Sequence, residues 1–174
     1  IGLMAAMVFV CTMFLGIRIP TPTGITQLKT ANAICLLTGL LFGGWTGGLA
    51  AGIGSALFDL TYPEWAAGAW LTFLFFFAMG GIAHAGGKAG QSRPRNWLAT
   101  ICGAGAYWLL YVGKSIVVLM MSGSVFSAAV IATVPKMITS GINAVFAVVV
   151  ANLLAALLRP KLESAGVFQA LRKQ

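Results

Sequence analysis

Charged residues are scarce in this chain, and their scarcity excludes an ordinary soluble fold. Only 8% of the 174 residues are Asp, Glu, Lys or Arg, against about 25% in a typical soluble domain. Hydrophobic residues make up 59%, and the mean hydropathy is +0.94. A soluble domain of this length cannot bury so much apolar surface, so the composition indicates an integral membrane protein.

Groups suited to metal binding or covalent chemistry are equally few. The acidic residues and the single histidine are Asp59, Glu64, Glu163 and His84. The three cysteines, Cys11, Cys35 and Cys102, form no Cys-x-x-Cys pair. This set is too small and too scattered to predict a zinc site or a disulfide framework. We therefore expect no cofactor in this chain and no enzymatic activity of its own.

Nucleotide-binding and nucleic-acid-binding patterns are also missing. No Gly-x-x-x-x-Gly-Lys-Ser/Thr sequence occurs, so any ATP hydrolysis that drives this protein must come from partner subunits. The net charge of +8 does not indicate a nucleic-acid partner, because no stretch interleaves basic residues with exposed aromatic residues.

Six long apolar segments predict an all-α membrane protein, a bundle of six transmembrane helices that forms one substrate-binding domain over residues 1–174. The segments are 1–17, 28–42, 44–60, 67–85, 96–121 and 127–158. The second and third are short for a span of ~20 residues and only a glycine separates them, so a tight turn must join them. A single re-entrant pair is the alternative, but two crossings give a consistent charge map.

The basic residues predict the orientation of this bundle. They follow the fourth and sixth segments, as Lys88, Arg93, Arg95, Arg159, Lys161, Arg172 and Lys173. Short cytoplasmic loops are enriched in Lys and Arg, so both clusters are expected inside, close to anionic lipid head groups. Both termini are then cytoplasmic, and the chain is predicted to be a multi-pass protein of the bacterial cytoplasmic membrane.

Two lysines, Lys114 and Lys136, lie within the fifth and sixth apolar segments. A charged side chain at the bilayer centre costs at least ~2.5–3.5 kcal/mol, which predicts that a protein keeping two of them uses them to bind a solute. At the helical rise of 1.5 Å per residue, Lys114 lies ~28 Å from Arg95 and Lys136 ~34 Å from Arg159, so both belong to the outer end. Two alternatives stay open: the lysines snorkel to the interface, or Lys114 pairs with an outer acid.

Polar side chains share a helix face with each lysine. On the sixth segment they are Lys136, Thr139, Ser140 and Asn143, and on the fifth they are Tyr107, Tyr111 and Lys114. Pro135 removes a helix hydrogen bond and is expected to free the carbonyl group of Ile131. The two faces predict a polar pocket between these helices.

Small residues repeat every four positions in the third segment. The stripe is Gly44, Gly48, Gly52 and Ala56, a pattern that predicts close helix packing within the bundle. In the first segment, Gly2 and Ala6 have the same spacing and can dock a partner helix.

Two outer loops surround the predicted pocket. Residues 18–27 contain two prolines that hold the chain extended, and residues 59–65 read Asp-Leu-Thr-Tyr-Pro-Glu-Trp.

The sequence Pro20-Thr-Pro-Thr-Gly24, followed by a glycine-rich third segment that ends in Ala56-Leu-Phe-Asp-Leu60, resembles the substrate-binding S component of energy-coupling factor (ECF) vitamin transporters. These motifs and the six-span plan are similar to members with an Ile-Pro-x-Pro-x-Gly loop.

This resemblance implies a membrane subunit that captures a small water-soluble vitamin at its outer side. It also implies partners, namely a transmembrane ECF coupling protein and two cytoplasmic ATPases that hydrolyse ATP. In the family, small residues on the first helix form the docking face, a role that Gly2 and Ala6 would take here.

The chain departs from many relatives where a Gly-Asp pair begins the second helix, because Lys29-Thr30 stands there. This exchange predicts an anionic ligand, such as a carboxylate-bearing vitamin or precursor. The predicted binding residues are Lys29, Asp59, Trp65, Trp70, Trp108, Tyr111, Lys114, Lys136, Ser140 and Asn143, with the aromatic side chains stacking on the apolar part of the ligand.

Three other functions are possible alternatives for such a sequence. A rhomboid-like serine protease would need Ser55 and His84 within hydrogen-bond reach, although they are expected near opposite ends of the bundle. A self-contained secondary transporter of a small organic anion usually shows internal repeats, which are not convincing here. A purely structural subunit explains the glycine stripe but not the polar faces.

Overall fold

A computed structural model of the chain describes residues 1–21, 24–84 and 91–166, leaving out the side chains of residues 17–19, 21, 24–29 and 64. The helices are α1 (Gly2–Phe14), α2 (Ala31–Phe42), α3 (Gly44–Leu60), α4 (Pro63–Ala66), α5 (Ala69–Ile82), α6 (Arg93–Met121) and α7 (Phe126–Ser164). The six long helices coincide with the six predicted apolar segments, and α4 is a single turn between α3 and α5.

The structure adds one feature that the helical prediction left out, a hairpin of β1 (Gly16–Thr21) and β2 (Gly24–Lys29). The strands are antiparallel, with Gly16 opposite Lys29 and Thr21 opposite Gly24. Pro20 is tolerated because both strands of a two-stranded sheet are edge strands, where an amide N–H is not required. The extended backbone predicted for residues 18–27 is therefore confirmed, and it pairs with itself. The hairpin packs against α7.

Two helices, α6 and α7, are long and apolar enough to cross a bilayer, with 29 and 39 residues. The shorter apolar helices α1, α2 and α5 have 13, 12 and 14 residues. Because α6 and α7 pack against each other and run in opposite directions, the N-terminal end of α6 lies beside the C-terminal end of α7. The basic residues of both helices therefore meet at one end of the bundle.

The predicted tight turn between the second and third segments is a single residue, Gly43, with φ of 101°. A side chain would be strained in this left-handed conformation, so glycine permits α2 and α3 to fold back on each other.

The glycine stripe of α3 faces α5, as predicted for close packing. A Cβ added at Gly44, Gly48 or Gly52 would lie 2.8–2.9 Å from a backbone oxygen of α5. A second glycine contact joins three helices, since Gly39 of α2, Gly47 of α3 and Gly80 of α5 touch one another through backbone atoms. These contacts place α3 against both neighbours with no room for side chains between them.

Candidate functional site

The two membrane lysines converge at the end of the bundle where α5 begins. The Nζ atom of Lys114, on α6, lies 3.4 Å from the position that a Cβ would take at Gly68, the residue preceding α5. Lys136, on α7, is close enough to Lys114 for the two ammonium groups to repel each other. Three helices thus bring positive charge to one region.

The start of α5 adds to this positive region. A helix of 14 residues carries a partial positive charge at its N-terminus, where the first N–H groups have no partner within the helix. Two ammonium groups beside such a terminus repel each other and the helix dipole. An anion placed among them would relieve the repulsion and accept charge-assisted hydrogen bonds.

Asp59, at the end of α3, lies beside this region and is only 7% exposed. Its Oδ2 atom accepts a hydrogen bond from the hydroxyl group of Thr72 on α5. The carboxylate therefore connects α3 to α5, one helical turn from Gly68, which lies against Lys114.

Aromatic rings form two groups around these charges. Phe58, Tyr62 and Trp65 contact one another with ring centroids 5.1–5.8 Å apart. On α6, Tyr107 stacks on Tyr111 at 5.9 Å, and its ring lies 4.7 Å from that of a phenylalanine on α5. Trp65 and Tyr111 thus stand in the two aromatic groups that flank the lysines.

The polar residues of α7 serve mainly their own helix. The Ser140 hydroxyl group donates to the carbonyl oxygen of Lys136 at 2.6 Å. Asn143 is buried, with 5% exposed. The indole Nε1–H of Trp108 donates to the carbonyl oxygen of Met137 at 3.1 Å, which ties α6 to α7. Ser140 and Trp108 therefore have structural partners already, and their contact with a ligand stays a prediction.

Two predicted residues are not brought into this group. Trp70 is 63% exposed and takes no part in the described aromatic contacts around Trp65. The side chain of Lys29 lies outside the described residues, although its backbone ends β2.

The small residues Gly2 and Ala6 lie on the outward face of α1. A Cβ at Gly2 would meet nothing within 4 Å, and Ala6 is exposed. The opposite face is buried, with Ala5 and Val8 packed where Gly54 of α3 leaves space.

Sequence reasoning missed a buried amide in this part of the bundle. Asn32, in the first turn of α2, is 1% exposed, and its Oδ1 atom has no hydrogen-bond partner among the described residues. One turn further along α2, the side chain of Leu36 lies 3.2 Å from the position that a Cβ would take at Gly103 of α6. Asn32 therefore lies one helical turn from the contact between α2 and α6. An amide in an otherwise apolar helix was the signal available in the sequence.

Ser55 and His84 do not form the arrangement that a serine protease requires. Ser55 is buried within α3, whereas His84 lies beside Gly43 and Gly44, at the other end of that helix. The 11 residues from Gly44 to Ser55 correspond to ~16 Å of helix. The hydroxyl group and the imidazole are therefore far beyond hydrogen-bond distance.

Comparison with known proteins gives two findings. A family model described as an ECF-type riboflavin transporter, S component, matches residues 1–160. The chain is also 33% identical over 110 residues to an uncharacterised protein of Pyrococcus woesei, a match that covers 63% of this chain and 72% of that protein. No solved structure matches the chain.

Proposed function

Because the chain belongs to the family of ECF-type riboflavin transporter S components, we propose that it is the substrate-binding membrane subunit of an ATP-driven importer. S components are integral membrane proteins of the bacterial cytoplasmic membrane, so the predicted location and the predicted family are confirmed. Members of this family are classified as transporter subunits and not as enzymes.

The proposed orientation places both termini on the cytoplasmic side. Arg93, Arg95, Arg159 and Lys161 lie at the shared end of α6 and α7. Lys114 and Lys136 lie toward the other end, where the hairpin also packs. The enrichment of basic residues in cytoplasmic flanks supports this assignment, which leaves the lysines facing the outer leaflet.

The proposed ligand is a small water-soluble vitamin or precursor that presents an anionic group to Lys114 and Lys136. The observation that carries this proposal is the convergence of these two ammonium groups at the start of α5. An anionic group of the ligand would relieve the repulsion between the two ammonium groups. The aromatic groups around Trp65 and Tyr111 would stack on the planar part of the ligand.

Riboflavin is the second candidate, favoured by the description of the matching family. Its ring system is planar and uncharged, and its carbonyl oxygens can accept hydrogen bonds from ammonium groups. The Oδ1 atom of Asn32, which accepts no hydrogen bond from the residues that the structure describes, could accept one from an N–H group of such a ring. The two candidates differ in whether the group between the lysines carries a charge.

Identification of the bound molecule distinguishes these candidates. The protein is purified from its native host in mild detergent, and small molecules released by denaturation are identified by mass spectrometry. The identified compound, riboflavin and a carboxylate-bearing vitamin such as biotin are then titrated calorimetrically. We expect a carboxylate-bearing compound to bind most tightly; tighter binding of riboflavin would replace the anionic proposal with the flavin one.

A substitution of Asn32 separates its role in binding from its role in stability. In the ligand-free protein, an unpaired buried carbonyl costs about 1–3 kcal/mol, so Asn32→Leu should leave the melting temperature unchanged or raise it. If the ligand donates to this oxygen, affinity should fall by roughly tenfold, since one hydrogen bond contributes about 0.5–1.5 kcal/mol. Calorimetric titration and thermal unfolding check both effects.

The matched control is Thr38→Val on the same helix, because the Thr38 hydroxyl group donates to the carbonyl oxygen of Cys35 at 2.8 Å. This change should leave ligand affinity unaltered. Unchanged affinity in the Asn32 variant would exclude its side chain from the binding site.

The proposed partners are the ECF coupling protein and two cytoplasmic ATPases, with α1 as the docking face. Ala6→Trp should abolish copurification with the partner subunits while leaving ligand affinity unchanged, because Ala6 points away from the bundle. Met7→Trp is the control, since Met7 is exposed on another side of α1. Full assembly by the Ala6 variant would move the docking face elsewhere.

The same reconstituted complex tests the transport mechanism. We expect uptake into liposomes to require the partners and ATP. Uptake by this chain alone would instead support a self-contained secondary transporter.

A further inference from the structure

A cavity lined by both polar and apolar side chains lies at the other end of the bundle, between the start of α6 and the end of α7. Its volume is about 410 Å³, and Gln91, Arg93, Asn96, Trp97, Asn152 and Arg159 line it. This volume is in the lower part of the ~300–1,000 Å³ range of small-molecule sites. The cavity is separate from the vitamin site, since Lys136 lies 23 residues and therefore ~34 Å of helix from Arg159.

The charge of the cavity suits an anion. Arg93 and Arg159 line it from different helices, and their guanidinium groups favour bidentate contacts with phosphate oxygens. Arg159 also forms an ion pair with Glu163, with 3.4 Å between Nη1 and Oε2. Glu163 neutralises part of the charge of Arg159, and Arg93 brings a second cation to the cavity wall.

A fixed polar frame supports these arginines. The Nδ2 group of Asn152 donates to Thr100 Oγ1 and to the carbonyl oxygen of Val148, both at 2.8 Å. These bonds use both hydrogens of the amide and fix the position of Asn152 in the cavity wall. Asn96, also in the wall, is only 7% exposed. Two amide side chains therefore stand in the same wall as the two arginines.

Apolar surface continues from the cavity toward the membrane interior. Trp97 and Leu153 line the cavity and are 43% and 58% exposed. One turn closer to the bilayer centre, Ile101 is 54% exposed on α6 and Val149 is 40% exposed on α7. A free anion would not contact this row of exposed apolar side chains, whereas an acyl chain would cover it. Phosphate-binding groups at the membrane surface followed by an apolar track match the two parts of a phospholipid.

We propose that this cavity binds the phosphate head group of an anionic glycerophospholipid from the inner leaflet, with an acyl chain lying along Trp97, Ile101 and Val149. The assignment to the inner leaflet rests on the proposed orientation, but the binding chemistry does not. Such a lipid would hold the ends of α6 and α7 together on the side opposite the vitamin site.

Native mass spectrometry of the delipidated, detergent-purified chain tests the proposal. Phosphatidylglycerol, phosphatidylcholine with the same acyl chains, and inorganic phosphate are titrated separately. We expect phosphatidylglycerol to bind at least about tenfold more tightly than phosphatidylcholine, because both lipids have the same phosphate group but the two arginines repel the quaternary ammonium group of choline. Inorganic phosphate that binds and displaces phosphatidylglycerol at equal concentration would overturn the lipid assignment in favour of a free-anion site.

Variants locate the binding. The double variant Arg93→Gln, Arg159→Gln should lose the preference for phosphatidylglycerol. The single variant Arg95→Gln should keep it, because Arg95 lies on α6 but does not line the cavity. Glu163→Gln breaks the ion pair while preserving Arg159, so it should retain or strengthen lipid binding. Arg159→Lys keeps the charge without the planar fork and should give an intermediate affinity.

A monodisperse size-exclusion profile and unchanged vitamin affinity verify that each variant is folded. Loss of lipid binding is then distinguishable from unfolding, and also from failure of the proposed transport function. Wild-type preference for phosphatidylglycerol in the double variant would overturn the proposal. Loss of copurifying partner subunits in that variant, with lipid binding unchanged, would reassign the cavity to the protein interface and would also overturn it.

Discussion

Substituting Lys114 by Met is expected to weaken ligand binding by roughly 10- to 150-fold. The ammonium group lies at the start of α5, beside Lys136, where it can donate a charge-assisted hydrogen bond to the ligand. Such bonds contribute about 1.5–3 kcal/mol, and each 1.4 kcal/mol corresponds to a tenfold change in affinity. Calorimetric titration of the purified variant with the copurified ligand measures the change. Methionine preserves the length of the side chain, so packing is disturbed little.

Lys161→Met is the matched control, because Lys161 is an exposed lysine in the last turn of α7, at the opposite end of the bundle. Its affinity for the ligand should equal that of the wild type. Lys136→Met should weaken binding as well, since it removes the second positive charge. Wild-type affinity in both membrane-lysine variants would show that these side chains snorkel to the lipid interface and take no part in binding.

Gly47→Ala is expected to give the largest loss of stability. The added Cβ would overlap the backbone of Gly39 on α2, and neither backbone can move without disturbing α5, where Gly80 touches Gly47. Overpacking of this kind costs about 1–3 kcal/mol, and more when the obstacle is backbone. Thermal unfolding in detergent, followed by tryptophan fluorescence, should show a melting temperature several degrees below that of the wild type.

Gly105→Ala provides the control within the same chain. This glycine lies in α6, where a Cβ would meet nothing within 4 Å. Alanine favours a helix over glycine by about 0.5–1 kcal/mol, so this variant should be as stable as the wild type or slightly more stable. Equal melting temperatures for the two alanine variants would contradict the three-helix glycine contact.

The helical part of the fold could be predicted from composition and pattern. Long apolar runs are sufficient to identify helices in a membrane, and the single-residue turn at Gly43 followed from the short gap between two spans. The four-residue stripe of α3 predicted close packing, and α5 is the helix against which Gly48 and Gly52 pack. The sequence could not identify α5 as this partner, because small residues allow another helix to pack closely against α3 without specifying which helix it is.

The hairpin could be predicted only in part. Pro20 indicated an extended backbone, but pairing of β1 with β2 depends on backbone hydrogen bonds that leave no pattern in side-chain chemistry.

The sequence predicted at which end of the bundle the site residues lie, but not how their side chains are oriented. Helical rise placed Lys114 and Lys136 at one depth, and the structure brings them together. The depth of a residue does not determine the direction in which its side chain leaves the helix. The sequence therefore could not show that Trp70 is largely exposed or that Trp108 donates a hydrogen bond to α7. Asn32 was missed because one amide in an apolar helix carries no information about whether its oxygen has a partner.

The most direct test of a vitamin site formed by two converging lysines is a structure of the protein with its copurified ligand bound. We predict that an anionic group of the ligand lies about 2.7–2.9 Å from the Nζ atoms of both Lys114 and Lys136, the length of a charge-assisted hydrogen bond. A ligand bound elsewhere, with both ammonium groups directed toward lipid head groups, would contradict the account.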